Sequence, residues 1–171
     1  MGECGHAFRS VYDNGNRWVG WKWHPVPVIH SIEFFWELMR DGKIKLAKKY
    51  PGPVTVHDPC NVVRGRGLHE KLRELVRFLI DGDIVETASY GEHNICCTAG
   101  GGVINCGPPF KNVRVAGSKA KADELRATGV KTIVAPCHNC HGGLEDTVHS
   151  YKLGMEIKFL GDIIYECMVK P

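Results

Sequence analysis

Two cysteines stand side by side in "NICCTAGGGVINCG" (94–107), followed by three glycines and a third cysteine. Neighbouring side chains leave a strand on opposite faces and a helix about 100° apart, so a pair serving one target needs an irregular loop. Cys60 precedes the pair Cys96–Cys97 by 35 intervening residues, and after 39 more come Cys137 and Cys140 in "APCHNCHGG". Five thiols exceed the four ligands of tetrahedral zinc, and adjacent cysteines would have to contort to serve one small ion. A polynuclear iron–sulfur cluster offers several irons, so neighbouring thiolates can bind different metal atoms. The glycines after Cys97 let backbone approach a bulky inorganic core and turn amide N–H groups toward sulfide. Arg64 and Arg66 of "NVVRGRG", Lys111 and nearby helix N-termini offer positive charge against such an anionic object. A solvated loop is the competing account of the two arginines.

Two other chemistries use subsets of these residues. A structural zinc site would take some of the thiols with His138 or His141, giving a colourless protein with one zinc. A dithiol oxidoreductase would use "CHNC" alone, with a low-pKa cysteine at a helix N-terminus, and would leave Cys60 and the vicinal pair without a task. His57, His138 and His141 flank the cysteines and could hydrogen-bond cluster sulfur or pass a proton; a plain hydrogen-bonding or surface role competes for each. Cys4 either faces the cluster or has no role, Cys106 reads as a small buried hydrophobe, and Cys167 falls on the apolar pattern of the last helix.

The elements that must position these thiols alternate. Ser31 is expected to cap a helix through "IEFFWELMRD" to Gly42, and Pro51 and Pro53 mark a loop. "VTVH" reads as a strand and "LHEKLRELVRFLID" as a helix, with Leu68, Leu72, Leu75, Val76 and Leu79 on one face and Gly82 at its end. "DIVETA" is a second strand, and a helix capped by Asn112 runs to Thr128 with Gly129 ending it. "KTIVA", the helix "HGGLEDTVHSYKL" closed by Gly154, "EIKFL" and the helix "DIIYECMV" follow. The two glycines after His141 either permit close packing or mark a delayed helix start. The alternation predicts an α/β fold with a mostly parallel sheet, flanking helices, and cluster-binding loops at the carboxyl ends of the strands. That edge is where open α/β sheets build ligand sites. Residues 1–30 show little periodicity and read as irregular. All four tryptophans (Trp18, Trp21, Trp23 and Trp36) lie in the first 36 residues, as core or as a subunit interface.

At 171 residues, 43% hydrophobic and 24% charged, the chain has the composition of an ordinary globular domain. A net charge of +3 gives no footing for nucleic acid. No apolar run is long enough to cross a bilayer, and "MGECGHAFRS" lacks a signal-peptide core. These features point to the cytoplasm or to an incomplete gene product, and eight cysteines in a reducing compartment point to metal or redox work.

The blocks "ECGHAFR", "HDPCN", "CCTAGGGVINCGPPF", "APCHNCHGGLED" and "KFLGDIIYE" resemble the cysteine-rich CCG domain of heterodisulfide reductase catalytic subunits. More closely, they resemble the K-type, heterodisulfide-reductase-like subunit of the membrane-bound electron-transfer complex associated with dissimilatory sulfite reduction. The resemblance implies a non-cubane 4Fe–4S cluster, with Cys60, Cys96, Cys97, Cys137 and Cys140 as its ligands and as the catalytic centre. It implies reduction, or formation, of a disulfide or trisulfide on a small sulfur-carrier protein. Electrons would come from a quinol-oxidising membrane complex that attaches the chain peripherally to the cytoplasmic face. Thr98 stands where that pattern has glycine, the second gap is longer than usual, and there is no C-x-x-C-x-x-C-x-x-x-C run for cubane clusters. "ECGHAFR" resembles the tail of a preceding cysteine-rich half. The chain therefore reads as the C-terminal portion of a longer subunit, with 1–50 an irregular segment plus a helix from that half and 51–171 the CCG domain.

Overall fold

Val54–Val56 and Thr132–Val134 consist wholly of β-branched residues, and every one of them is buried, as in strands covered on both faces. They are central in a computed structural model that describes residues 4–19 and 27–170. In chain order come α1 (Gly5–Arg9), a π-helical turn (Ser10–Asn14) and α2 (Gly15–Val19), then α3 (Ser31–Arg40), β1 (Tyr50–Pro51), β2 (Val54–Val56), α4 (Cys60–Arg66), α5 (His69–Leu79) and β3 (Ile80–Asp81). After a long connection come α6 (Pro108–Gly117), α7 (Lys119–Thr128), β4 (Thr132–Val134), α8 (His138–Ser150), β5 (Glu156–Lys158) and α9 (Leu160–Cys167).

The sheet is parallel, in the order β2-β4-β5, with Val54 facing Thr132 and Thr132 facing Glu156. Ile84 makes a single parallel bridge to Val54 on the other side of β2, and β1 pairs with β3 in a separate two-stranded ribbon. From β2 the chain moves out to Ile84 and then returns past β2 to form β4. The order of the chain across the sheet thus reverses between β2 and β4, and such a switch point opens a crevice at the strands' carboxyl ends. Alternation along β4 divides the core. Val134 joins Val54, Val56, Leu72, Leu75, Leu79 and Leu160 on one face, while Ile133 and Ala135 join Leu125 and Leu144 on the other.

Several expectations need correction. Residues 5–19 are helical, where the sequence reads as irregular. Trp21 and Trp23 lie outside the described residues; Trp18 is exposed, and Trp36 is on the surface, where its indole N–H donates to Glu74 at 2.6 Å. The cap of α3 is His30, one residue before Ser31, in a capping box with Glu33. Helix α5 stops at Leu79, because buried Ile80 turns extended to pair in β3; Gly82 instead lies against Gly52. "DIVETA" contributes one bridge and no strand. The long helix from Asn112 is two helices broken at Ser118, the first starting at Pro108. Helix α8 begins at His138, so it includes the second cysteine of the CHNC pair.

Polar bonds hold what "DIVETA" fails to hold as a strand. Asp58, wholly buried just after β2, accepts two hydrogen bonds from Arg73 of α5, one of them at 2.7 Å, and one from the Gly91 N–H at 2.6 Å. Its main-chain carbonyl accepts from the Asn94 side chain at 2.6 Å. Arg73 also forks onto Glu86 at 2.9 and 3.0 Å. Arg64 donates to the carbonyls of Glu92 and Asn94 at 2.7 and 2.5 Å. Asp58→Ala would leave Arg73 buried with half its counter-charge, and removing one partner of a buried pair costs about 3 kcal/mol or more. A urea unfolding curve should show the midpoint falling accordingly, with the slope unchanged.

Candidate metal centre

The crevice at the switch point is lined with sulfur. Strand β2 delivers Cys60 as the first residue of α4, and β4 delivers Cys137 as the cap of α8 with Cys140 one turn on. The loop that follows Ile84 delivers Cys96 and Cys97. In the order Cys60, Cys96, Cys97, Cys140, Cys137, each thiol lies near enough to the next to shift its ionisation, and Cys97 Sγ donates a hydrogen bond to Cys140 Sγ. The Cys97 and Cys140 Sγ atoms are 3.2 Å apart. All five thiols expected from the sequence are therefore brought together, and none is in a disulfide. Cys97, Cys137 and Cys140 are buried, Cys60 is half-buried, and Cys96 is exposed.

Thr98 explains how adjacent cysteines serve one place. Its N–H donates back to Cys96 Sγ at 3.2 Å, and its φ of +61° then turns the chain that follows. A β-branched residue suffers steric strain in that left-handed region. The amides of Ala99 near Cys97, of Asn61 near Cys60, and of Cys140, Gly5 and Asn139 near Cys137 favour the ionised form of those sulfurs. Backbone N–H groups directed at sulfur set the charge and potential that a thiolate-bound cluster feels. Gly100 and Gly101 line the same pocket. Gly143 permits the approach of α8, since a Cβ there would lie 2.6 Å from both the Cys97 carbonyl oxygen and the Ala99 side chain.

The thiols cannot all ionise together. Cys96 is lowered to about 2 by its bonds to Cys60 and Cys97, and Cys137 to about 6 by its bond to Cys140. Cys60 is pushed up by its bond to Cys96 and then by burial, and Cys140 by its bonds to Cys137 and Cys97. Cys97 rises to about 11: its bond to Cys140 acts downward, but the bond to Cys96 and burial outweigh it. Where one sulfur ionises, its neighbours keep their protons. A donor set of this kind becomes fully anionic only around multivalent metal, and five sulfurs suit several metal atoms better than one.

A model of the cysteine-rich domain CCG matches residues 54–145, more than half of the chain and the whole thiol array. The chain belongs to the CCG cysteine-rich domain family. It is similar to one component of the dihydromethanophenazine:CoB–CoM heterodisulfide reductase of Methanosarcina mazei, at 30% identity over 96% of this chain and 39% of that protein. It is similar also to the Hdr-like menaquinol oxidoreductase iron-sulfur subunit of Archaeoglobus profundus, at 30% over 91% and 34%. A component of the CoM/CoB fumarate reductase of Methanothermobacter marburgensis matches at 30% over 81% and 27%. The chain thus spans less than two-fifths of the length of these relatives. No solved structure matches it.

Around the CCG thiols, the other candidate residues fare differently. Arg66 turns away to pair with Asp13 and cover Phe8 and Tyr12, and Lys111 pairs with Asp146 at 2.6 Å. His138 and His141 stack on Phe159, the latter at 4.2 Å. Cys4 caps α1, Cys106 is exposed where burial is expected, and Cys167 is core. His57 is the histidine that reaches the thiols: a ring nitrogen lies with Cys97 and Cys140 Sγ in a group within 4.8 Å. Burial, and then the Lys121 charge, lower its pKa to about 3. Lys121, buried in α7, donates to Asn94 at 2.8 Å and Glu124 at 3.2 Å beneath the vicinal pair. Arg73, Asn94 and Lys121 escape a reading by motif, and Asp58 enters only as part of the block "HDPCN"; Arg73, three residues before Val76, falls on the apolar side of α5.

Two substitutions test this loop. Thr98→Gly relieves the left-handed strain, worth about 1–2 kcal/mol, against an unfolded-state entropy cost of about 0.5–1 kcal/mol. The net expectation is a gain of about 1 kcal/mol or slightly less in denaturant unfolding. Gly143→Ala should reverse the usual helix benefit of alanine: the clash with Cys97 is worth about 1–3 kcal/mol of overpacking, so a lower melting temperature and reduced metal uptake are expected.

Proposed function

We propose that this chain is the iron–sulfur module of a heterodisulfide-reductase-like oxidoreductase, holding one non-cubane 4Fe–4S cluster on Cys60, Cys96, Cys97, Cys137 and Cys140. The observation that carries the reading is the convergence of five thiols from three loops at the sheet's switch point, where Cys60, Cys97, Cys137 and Cys140 line one pocket and exposed Cys96 adjoins Cys60 and Cys97. A bound cluster of this type supplies one-electron redox steps and an iron open to a substrate sulfur. The residues supply the rest. Cys97, Cys137 and Cys140 hold the inner side away from water, and the amides of Thr98, Ala99, Asn139 and Gly5 steady the sulfur charge. Cys60 and Asn61 line both the thiol pocket and an outer groove with Arg9 and Arg64, which makes that side the approach for a protein-borne sulfur.

The overall conversion is a disulfide taking two electrons and two protons to give two thiols, or the reverse; a trisulfide takes four of each and releases hydrogen sulfide as well. The substrate proposed is a disulfide or trisulfide on a small sulfur-carrier protein. The electrons come from quinol through a membrane partner, a route that the likeness to menaquinol oxidoreductase subunits supports. No described helix is long and apolar enough to cross a membrane; attachment to it through partner subunits is part of the same proposal. The K-type role in sulfite reduction belongs to the same proposal. A zinc site on His57, Cys97 and Cys140 would leave Cys60 and Cys96 without a function, as would a CHNC dithiol.

Anaerobic reconstitution separates these readings. The expected product is brown, with about four irons and four sulfides per chain, and has a paramagnetic resonance signal that Cys97→Ala abolishes. A colourless chain with one zinc, or a signal unchanged in Cys97→Ala, contradicts the proposal.

A further inference from the structure

We infer that His57 is a sixth donor to this centre, binding through a ring nitrogen the iron held between Cys97 and Cys140. The inference rests on the iron–sulfur reading above and extends it beyond the five thiols.

His57 is the first residue after β2, and its main-chain N–H donates to the Val134 carbonyl at 2.9 Å, which continues the strand register to the edge of the crevice. The side chain is 2% exposed. Its Nδ1 is buried with no hydrogen-bond partner. Leaving a buried polar atom unpaired costs about 1–3 kcal/mol, and such atoms in folded proteins point to a missing ion or water. A ring nitrogen and the Cys97 and Cys140 Sγ atoms all lie within 4.8 Å of one another. Among the described residues this is the one set of three such donors grouped so closely. Metal bonds of about 2.0–2.3 Å place tetrahedral donors roughly 3.5–4 Å apart, so the trio closes on one metal with small shifts.

The chemistry favours the bond as well. Five thiolates crowd negative charge into a buried pocket, and a neutral nitrogen adds a ligand without adding charge. Replacing sulfur by histidine on an iron raises the reduction potential, as in Rieske centres. One iron of the centre would thereby be distinguished from the others by a nitrogen ligand.

The test is pulsed paramagnetic resonance on the anaerobically reconstituted chain, carrying nitrogen-15 in all its histidines and brought to its paramagnetic redox state. A strongly coupled imidazole nitrogen is expected in the unsubstituted chain. The coupling should persist in His138→Gln and His141→Gln and be lost in His57→Gln, with the iron content retained. His57→Cys should keep the cluster and shift its midpoint potential downward. Absence of strong coupling in the iron-loaded chain overturns the inference, and so does weak coupling of the size an N–H···S bond gives. Persistence in His57→Gln, loss in His138→Gln or His141→Gln, or a potential in His57→Cys that is unchanged or raised, does the same. The unsubstituted spectrum and the variants of the two histidines that stack on Phe159 decide the matter even where a His57 variant does not fold. A chain that takes up no iron overturns the parent reading together with this one; an iron centre with sulfur ligands alone overturns only this one.

Discussion

The carboxylate of Asp58 fixes the place where the thiols meet. It lies between His57 and Cys60 at the end of β2, sealed from water, and binds a helix through Arg73 and a loop through Gly91. Its backbone carbonyl holds Asn94, and Asn94 in turn holds Lys121. A buried charge of this kind is tolerable only when fully bonded, so each partner has a defined position. The segment from Glu86 to Asn94, with one short turn at Gly91–His93 for regular structure, is thereby led to the crevice. Without that tie Cys96 and Cys97 would be carried on a loop free to wander from Cys60.

The sheet provides the other half of the geometry. Parallel strands β2 and β4 are neighbours, and both end at the same edge, so Cys60 and Cys137 start out close together. Helix α8 then places Cys140 beneath Cys137 and, through Gly143, packs directly on the backbone of the vicinal pair. The N-terminal helix completes the wall, with Gly5 lining the pocket beside Cys137 and Arg66 of α4 covering Phe8 and Tyr12. A pocket built from four separate segments holds sulfur atoms whose mutual repulsion, once ionised, only metal can offset.

The α/β class, the strands at Val54 and Thr132 and the amphipathic α5 are legible in the sequence, because β-branched runs and the apolar face of α5 are local signals. So is the sulfur array, since cysteines placed after successive strands share one sheet edge. The strand expected at "DIVETA" is reduced to the bridge of Ile84 with Val54, beyond which the segment is held by side chains that are distant in sequence. Thr98 is visible as a departure from a glycine pattern, but its left-handed backbone and its bond to Cys96 require coordinates. By sequence His57 is one of three equivalent histidines; only the fold separates it from His138 and His141, which stack on Phe159 instead.

The central claim is that one multi-metal centre occupies the five converging thiols. X-ray absorption at the iron edge of the anaerobically reconstituted chain addresses it directly. The account predicts a first shell dominated by sulfur, together with a distinct iron–iron distance. Isolated iron with no metal–metal scattering, or a shell dominated by oxygen, would contradict it.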